Sequence, residues 1–228
     1  MQSITLAVLM DDIASINRKK DSSFAMMLEA QNRNWEIYTF DSVDMFHLKG
    51  QVFANVRKTF VNDSENNWYS CGEQELLSLS NVDIIFMRKD PPFDMDYIYA
   101  TYLLEQAEIC GAMVVNKPCA LRDANEKLFA LNFSDYIPET LVSSNIEQLI
   151  TFINENKEAI VKPLDGMGGK DIYKLKTGDE NINEVLLRLT NQGQRYIMAQ
   201  EFLPEIKQLS LIHISEPTRR YAISYAVF

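Results

Sequence analysis

Short apolar runs and segments of helical periodicity take turns along most of the chain. Residues Ile4 to Met10, ITLAVLM, are apolar without alternation, which predicts a strand buried on both faces, and the run empties into Asp11 and Asp12. Asp21 and Ser22 can cap a helix on which Phe24, Met27, Leu28 and Gln31 recur at helical spacing, and WEIYTF, Trp35 to Phe40, returns to strand-like composition. This is a βαβ unit. QVFANVRKTFV alternates as an edge hairpin does, and SENNWYSCGEQ reads as a polar connection. VDIIFM, Val82 to Met87, is another buried strand. Pro91 and Pro92 cannot continue its ladder, so Arg88, Lys89, Asp90 and Asp94 cluster where the chain leaves the sheet. In open α/β sheets a ligand crevice lies at such carboxyl ends. A helical pattern from Asp96, stopped by Gly111, and the strand AMVVNKP complete a first domain drawn at residues 1–121.

A second unit, drawn at residues 122–208, opens with a short predicted helix over Arg122 to Phe129. A helix from about Asn145 to Asn156 and the strand Ala159 to Pro163 follow. After a glycine loop come DIYKLK, a helix around Asn183 to Leu189 and the strand YIMAQEFL. Strand and helix alternate without repeats, so the class is α/β or α+β. At Leu209 the character changes abruptly: LSLIHISEPTRRYAISYAVF resembles the translation of a sequencing adapter. Residues 209–228 are therefore read as a non-native tail and set aside from fold reasoning.

Composition narrows the function classes. The chain is 46% hydrophobic and 24% charged, ordinary for a globular protein, and its net charge of −10 argues against a nucleic-acid partner. No apolar run reaches the roughly 18 residues of a membrane span, and the first residues lack a secretory signal, which predicts a cytoplasmic protein without a membrane partner. Cys71, Cys110 and Cys119 form no metal-binding spacing. With the tail set aside, His47 is the one histidine, leaving histidine-based catalysis with almost no candidate.

Candidate chemistry concentrates in IVKPLDGMGGK. A strand delivers Lys162 at its end, and Gly166, Gly168 and Gly169 follow where backbone N–H groups can approach an anion. The spacing fits a loop closing over a nucleotide or a plain tight turn; no Lys-Ser/Thr pair makes it a P-loop. Gln200 and Glu201 stand in an apolar frame, as an adenine-binding strand or as an edge strand with a solvated Glu. Lys127 fits a phosphate ligand or a surface lysine. Arg88, Lys89, Asp90 and Asp94 can pair a substrate carboxylate or ammonium or form an exposed ion-pair turn. Arg18, Lys19, Lys20, Asp21, Ser22 and Ser23 line the same crevice or form a solvated helix start.

Taken together, MDDIASINRKKDSSFAMMLEAQ, MRKDPPFDMDYIYATYLLE, VVNKPCALRDANEKLFAL and IVKPLDGMGGKDIY resemble the bacterial glutathione synthetases of the ATP-grasp superfamily, over essentially all of residues 1–208. The resemblance implies a Rossmann-like α/β domain followed by the first part of an ATP-grasp domain. It implies a homo-oligomeric ligase that joins γ-glutamylcysteine to glycine with ATP and Mg2+ through an acyl phosphate. By motif position, Lys127 and Lys162 would contact phosphates, Gly166, Met167, Gly168 and Gly169 would form the flap, and Gln200, Glu201, Phe202 and Leu203 would frame the adenine. Arg88, Asp90, Lys20, Asp21 and Ser22 would line the peptide side. Lys170-Asp171 departs from the small or hydroxyl residues that relatives carry there. The family's magnesium and glycine ligands would lie beyond Gln208, so these residues by themselves are expected to be inactive. Another ATP-grasp carboxylate–amine ligase and a non-catalytic nucleotide- or peptide-binding protein are the competing readings.

Overall fold

A computed structural model describes residues 3–166 and 169–207 of the chain. They divide into two compact units, one ending at Asp123 and one beginning at Ala124.

The first unit is built on β1 (Thr5–Leu9), β2 (Glu36–Phe40), β3 (Met45–Leu48), β4 (Gln51–Val61), β5 (Tyr69–Ser78), β6 (Ile84–Met87) and β7 (Met113–Val115). Among the described residues these form a seven-stranded sheet in the order β3-β4-β2-β1-β6-β7, with β5 paired to the other side of β4. β1 runs parallel to β2 and β6, β6 runs parallel to β7, and β4 is antiparallel to its neighbours. Helix α1 (Ser22–Asn32) covers one face and α2 (Met95–Ile109) the other. The uninterrupted apolar run of β1 follows from this: Leu6 and Val8 pack with Phe24 and Met27, whereas Ala7 and Leu9 pack with Ile85 and Leu104. Fully burying a Leu such as Leu104 contributes on the order of 1.5–3 kcal/mol.

Local chemistry sets the ends of these elements. Asp21 caps α1 by accepting hydrogen bonds from the N–H groups of Ser23 and Phe24, as its sequence position predicts. Asp94 caps α2, which terminates at Cys110 and at Gly111 with φ +118°. Lys49 and Gly50, both at positive φ, make the two-residue turn from β3 into β4.

Two expectations change. The strand QVFANVRKTFV is not at the edge: it has partners on both sides, and the second half of the polar stretch after it is strand β5. Most β5 side chains are exposed, so no apolar alternation advertises it. The predicted helix over Arg122 to Phe129 is replaced by a break. Helix α3 (Pro118–Asp123) stops, and Asn125 Oδ1 accepts hydrogen bonds from the N–H groups of Lys127 and Leu128, starting a 3-10 segment at Leu128. An Asn side chain that competes for backbone donors in this way interrupts an otherwise helical composition.

The second unit has β8 (Thr140–Ser143), β9 (Glu158–Pro163), β10 (Tyr173–Lys176) and β11 (Ile197–Glu201) in an antiparallel sheet ordered β10-β9-β11-β8. Helices α4 (Ile146–Asn156) and α5 (Ile182–Leu189) pack against one face, where Ala159, Val161, Ile197 and Ala199 meet Leu149, Ile153 and Leu186. Successive residues of a strand point to opposite faces, so Ile160, Lys162, Met198 and Gln200 lie on the face that α4 and α5 do not cover.

Candidate functional site

In the first unit, the carboxyl ends of β1, β2 and β6 gather charged groups. The Arg88 N–H donates to the Leu9 carbonyl at 2.7 Å, extending the ladder one step past β6. Its guanidinium donates from Nε to Ser23 Oγ at 2.9 Å and from Nη2 to Ser22 Oγ at 2.8 Å, at the first turn of α1. Among the described residues it forms no ion pair, so its charge faces hydroxyls and solvent. Lys89 Nζ bridges Asp11 at 2.5 Å and Asp41 at 2.8 Å. Burial opposes the ammonium of Lys89, but its hydrogen bonds to Asp11 and Asp41 outweigh that and hold its pKa above the ordinary lysine value. Asp41 is drawn the other way: burial pushes it up, and the hydrogen bonds from Lys89 and Ser42 carry it below the usual carboxylate range.

Asp90 donates its backbone N–H to Asp11 Oδ2 at 3.1 Å. Partial burial and the nearby charges of Asp11 and Asp21 push its carboxyl up, against the pull of Arg88 and Lys89. Burial likewise raises the phenol of Tyr97, whose ring lies 5.2 Å from that of Phe93. Lys20 sits in a turn closed by its N–H to the Asn17 carbonyl at 2.8 Å, immediately before the Asp21 cap. Arg88, Asp21 and Ser22 thus come together as a set, with Asp90 beside them through Asp11. Ser23, from the same predicted run, joins them through Arg88, and Asp41 and Tyr97 join them without having been singled out. Asp41 follows the apolar run of β2 as Asp11 follows that of β1, which is the signal that could have found it.

In the second unit, the sheet face opposite α4 and α5 holds Lys162. Its Nζ donates to Gln200 Oε1 at 2.6 Å, and Gln200 Nε2 donates to Thr140 Oγ1 at 2.9 Å. Lys127 Nζ donates to the Gly166 carbonyl at 2.5 Å and pairs with Glu126 at 2.6 Å. Burial and then the positive charge of Lys127 lower the pKa of Lys162, with Glu126 working against them. A Lys162 ammonium disfavoured by burial and by the charge of Lys127, beside a glycine turn, suits a polyanion that would restore it. Asn125 Nδ2 donates to the Leu164 carbonyl at 3.1 Å and so ties the start of the glycine loop to the segment bearing Lys127.

The remaining predicted residues separate. Glu201 is exposed and belongs to the strand positions facing away from Lys162; its N–H donates to the Glu139 carbonyl. The Phe202 ring lies 3.3 Å under Lys174 Nζ, and Leu203 is exposed. Gly169 has φ +75°, and Asp171, at φ +58°, accepts from the Tyr173 hydroxyl at 3.4 Å. Met167 and Gly168 lie outside the described residues, as does the tail from residue 208. Among the described residues no group of three His, Cys, Asp or Glu converges as a metal site, and no helix is long and apolar enough to cross a membrane.

Comparison with known proteins adds two family models, described as the prokaryotic glutathione synthetase N-terminal domain, matching residues 4–122, and the prokaryotic glutathione synthetase ATP-grasp domain, matching residues 126–212. The glutathione synthetase of Escherichia coli strain K12 is 51% identical over 205 residues, covering 90% of this chain and 65% of that protein. That of Salmonella typhimurium strain LT2 is 48% identical over 204 residues, with the same 90% and 65% coverage. The chain therefore spans 65% of the length of these curated relatives. Among solved structures, a RimK domain ATP-grasp protein from Sphaerobacter thermophilus aligns with a TM-score of 0.55 at 17% identity, covering 88% of this chain and 64% of that one. This likeness is one of fold.

Proposed function

The chain belongs to the prokaryotic glutathione synthetase family, and from that premise we propose that its parent protein is an ATP-dependent ligase joining γ-glutamylcysteine to glycine. The observation that carries the reading is the pair Lys127 and Lys162, one beside the Gly166 carbonyl and the other on the helix-free sheet face, with the charge on Lys162 disfavoured until an anion arrives. ATP phosphates are such an anion. In this reading the glycines that follow Lys162 supply backbone N–H groups to those phosphates, and Gln200, on the same sheet face as Lys162, lies toward the base.

Arg88, with its unneutralised guanidinium, takes a carboxylate of the dipeptide, and Asp90 takes its ammonium. Ser22, Asp21 and Lys20 complete that side. The cysteinyl carboxylate of the dipeptide attacks the γ-phosphorus, ADP leaves, and an acyl phosphate forms. The glycine amine then attacks the acyl carbon, giving the new amide and inorganic phosphate. The protein's part is to neutralise charge, hold two anions in line and keep water from the mixed anhydride.

Mg2+ belongs to this reading as the further counter-charge on the phosphates. Among the described residues no group of three His, Cys, Asp or Glu converges to hold it, and in this reading the ion's ligands lie outside them, so we expect no turnover from these 228 residues by themselves. The same reading carries a cytoplasmic location and a homo-oligomeric parent.

Calorimetric titration of the chain with ATP tests the proposal. Lys162→Met and Lys127→Met are each expected to weaken binding by about tenfold or more, the scale of a lost charge-assisted contact to phosphate. Arg88→Lys should weaken γ-glutamylcysteine while sparing ATP, since a point charge does not replace a fork. ATP affinity indifferent to both lysine variants would refute the nucleotide reading. A completed protein inactive on γ-glutamylcysteine but active on another carboxylate would reassign the substrate.

A further inference from the structure

Lys89 is flanked in sequence by the two residues assigned to the dipeptide, yet its own side chain is fully engaged elsewhere. Its ammonium joins Asp11, just past β1, to Asp41, just past β2, while its backbone continues from β6. One cation thereby ties the carboxyl ends of three neighbouring parallel strands.

Asp11 uses both of its oxygens on this segment: Oδ1 accepts from Lys89 Nζ at 2.5 Å and Oδ2 from the Asp90 N–H at 3.1 Å. Asp41 is equally committed. Its Oδ2 takes Lys89 while its Oδ1 takes the Ser42 hydroxyl at 2.9 Å, and its own N–H is held by Asp44 at 3.1 Å. Beyond Asp90 come Pro91 and Pro92, which have no N–H to offer, so this is the last tie before the loop. The lysine side chain is 22% exposed, so the pairing is partly shielded from water and weighs more than a surface ion pair.

We propose that Lys89, Asp11 and Asp41 form a positioning clamp that touches no substrate but fixes Arg88 and Asp90 at the spacing the dipeptide requires. The claim rests on the reading of Arg88 and Asp90 as the dipeptide site. A lysine already matched by two carboxylates has no charge left for a ligand, whereas the guanidinium of Arg88 beside it has, among the described residues, only hydroxyl partners. Removing Lys89 leaves the Asp11 and Asp41 carboxylates opposed across the strand ends, and the Asp90 N–H loses a rigid acceptor.

The test compares the chain with Lys89→Met, Lys89→Arg and Asp41→Asn, titrating each with γ-glutamylcysteine and with ATP, and following hydrogen exchange at the Asp90 amide and the Arg88 Nε–H. Lys89→Met should weaken the dipeptide by about tenfold or more and leave ATP within about twofold. Lys89→Arg, which can still span both carboxylates, should stay within about threefold of the parent chain, with Asp41→Asn between the two. Exchange at both reporter groups should speed up in Lys89→Met.

Dipeptide affinity unchanged by Lys89→Met overturns the clamp. If the parent chain binds no dipeptide, the substrate assignment falls, and the exchange data decide the clamp alone: unaltered exchange at both groups overturns it. Should Lys89→Met fail to fold, Asp41→Asn, which keeps the Lys89–Asp11 pair, supplies the same comparison.

Discussion

Lys162 donates to Oε1 of Gln200 at 2.6 Å across the neighbouring strands β9 and β11. Because Gln200 Nε2 is spent on Thr140 Oγ1, the amide has one orientation, oxygen toward the ammonium. A carboxylate in its place would neutralise Lys162 internally. Gln200→Glu is therefore expected to weaken nucleotide binding by about tenfold or more, through competition with the phosphates. Gln200→Ala should cost less than Gln200→Glu, an ordering that calorimetric titration reads directly.

The lowered pKa of Lys162 fixes the sign of a proton linkage. Burial, followed by Lys127, places its folded value below the 10.5 of a free lysine. In the window between that folded value and 10.5 the folded chain binds fewer protons than the unfolded one. Stability contributed by this group therefore rises with pH there, the reverse of a salt-bridged lysine. A bound polyanion restores the charge, so nucleotide binding in that window should take up protons. Titrations in buffers of different ionisation enthalpy should show the uptake, and Lys162→Met should abolish it.

How far the sequence could be read depended on where burial left a pattern. β1 and β6 are sandwiched between helices, so their uninterrupted apolar runs were visible, and Asp21 was recognisable as a cap from its place before Phe24 and Met27. β5 was not, because most of its side chains are exposed and its position comes from backbone pairing with β4. Residues Arg122 to Phe129 have a helical composition that the Asn125 side chain overrides. Arg88, Asp21 and Ser22 were legible as a set because parallel strands bring their carboxyl ends to one edge. Asp41 and Thr140 were not, since each is defined by a partner far away in sequence, Lys89 and Gln200.

Asp21 holds the first turn of α1, the same turn whose Ser22 and Ser23 hydroxyls receive Arg88. Asp21→Ala should cost about 1 kcal/mol, the usual value of a helix cap. Chemical denaturation measures that loss. Ser22→Ala, which leaves the cap intact, should show a smaller one.

Glu158 pairs with Lys174 at 2.7 Å and Lys176 at 2.8 Å. Hydrogen bonds from Lys174 and Lys176 hold its pKa at about 2, against 4.5 for a free glutamate. The stability this provides is complete above 4.5 and is lost as pH falls from there toward about 2. Both partners are near the surface, so the effect should be small and weaken with salt. Glu158→Gln should flatten the acid limb of the stability profile in that window, and carboxyl chemical shifts should show Glu158 titrating at about 2 rather than at 4.5.

The sheet face left clear by α4 and α5 also has a kinetic meaning. The chain as a whole carries a charge of −10, yet this face presents the ammonium of Lys162. An approaching polyanion meets general repulsion and one local attraction, so the field itself sorts encounters by where they land. Salt that shortens the screening length to the size of the patch removes the general repulsion before the local attraction, so association there should quicken with the first added salt and slow only at higher ionic strength, whereas departure depends on contacts made after arrival.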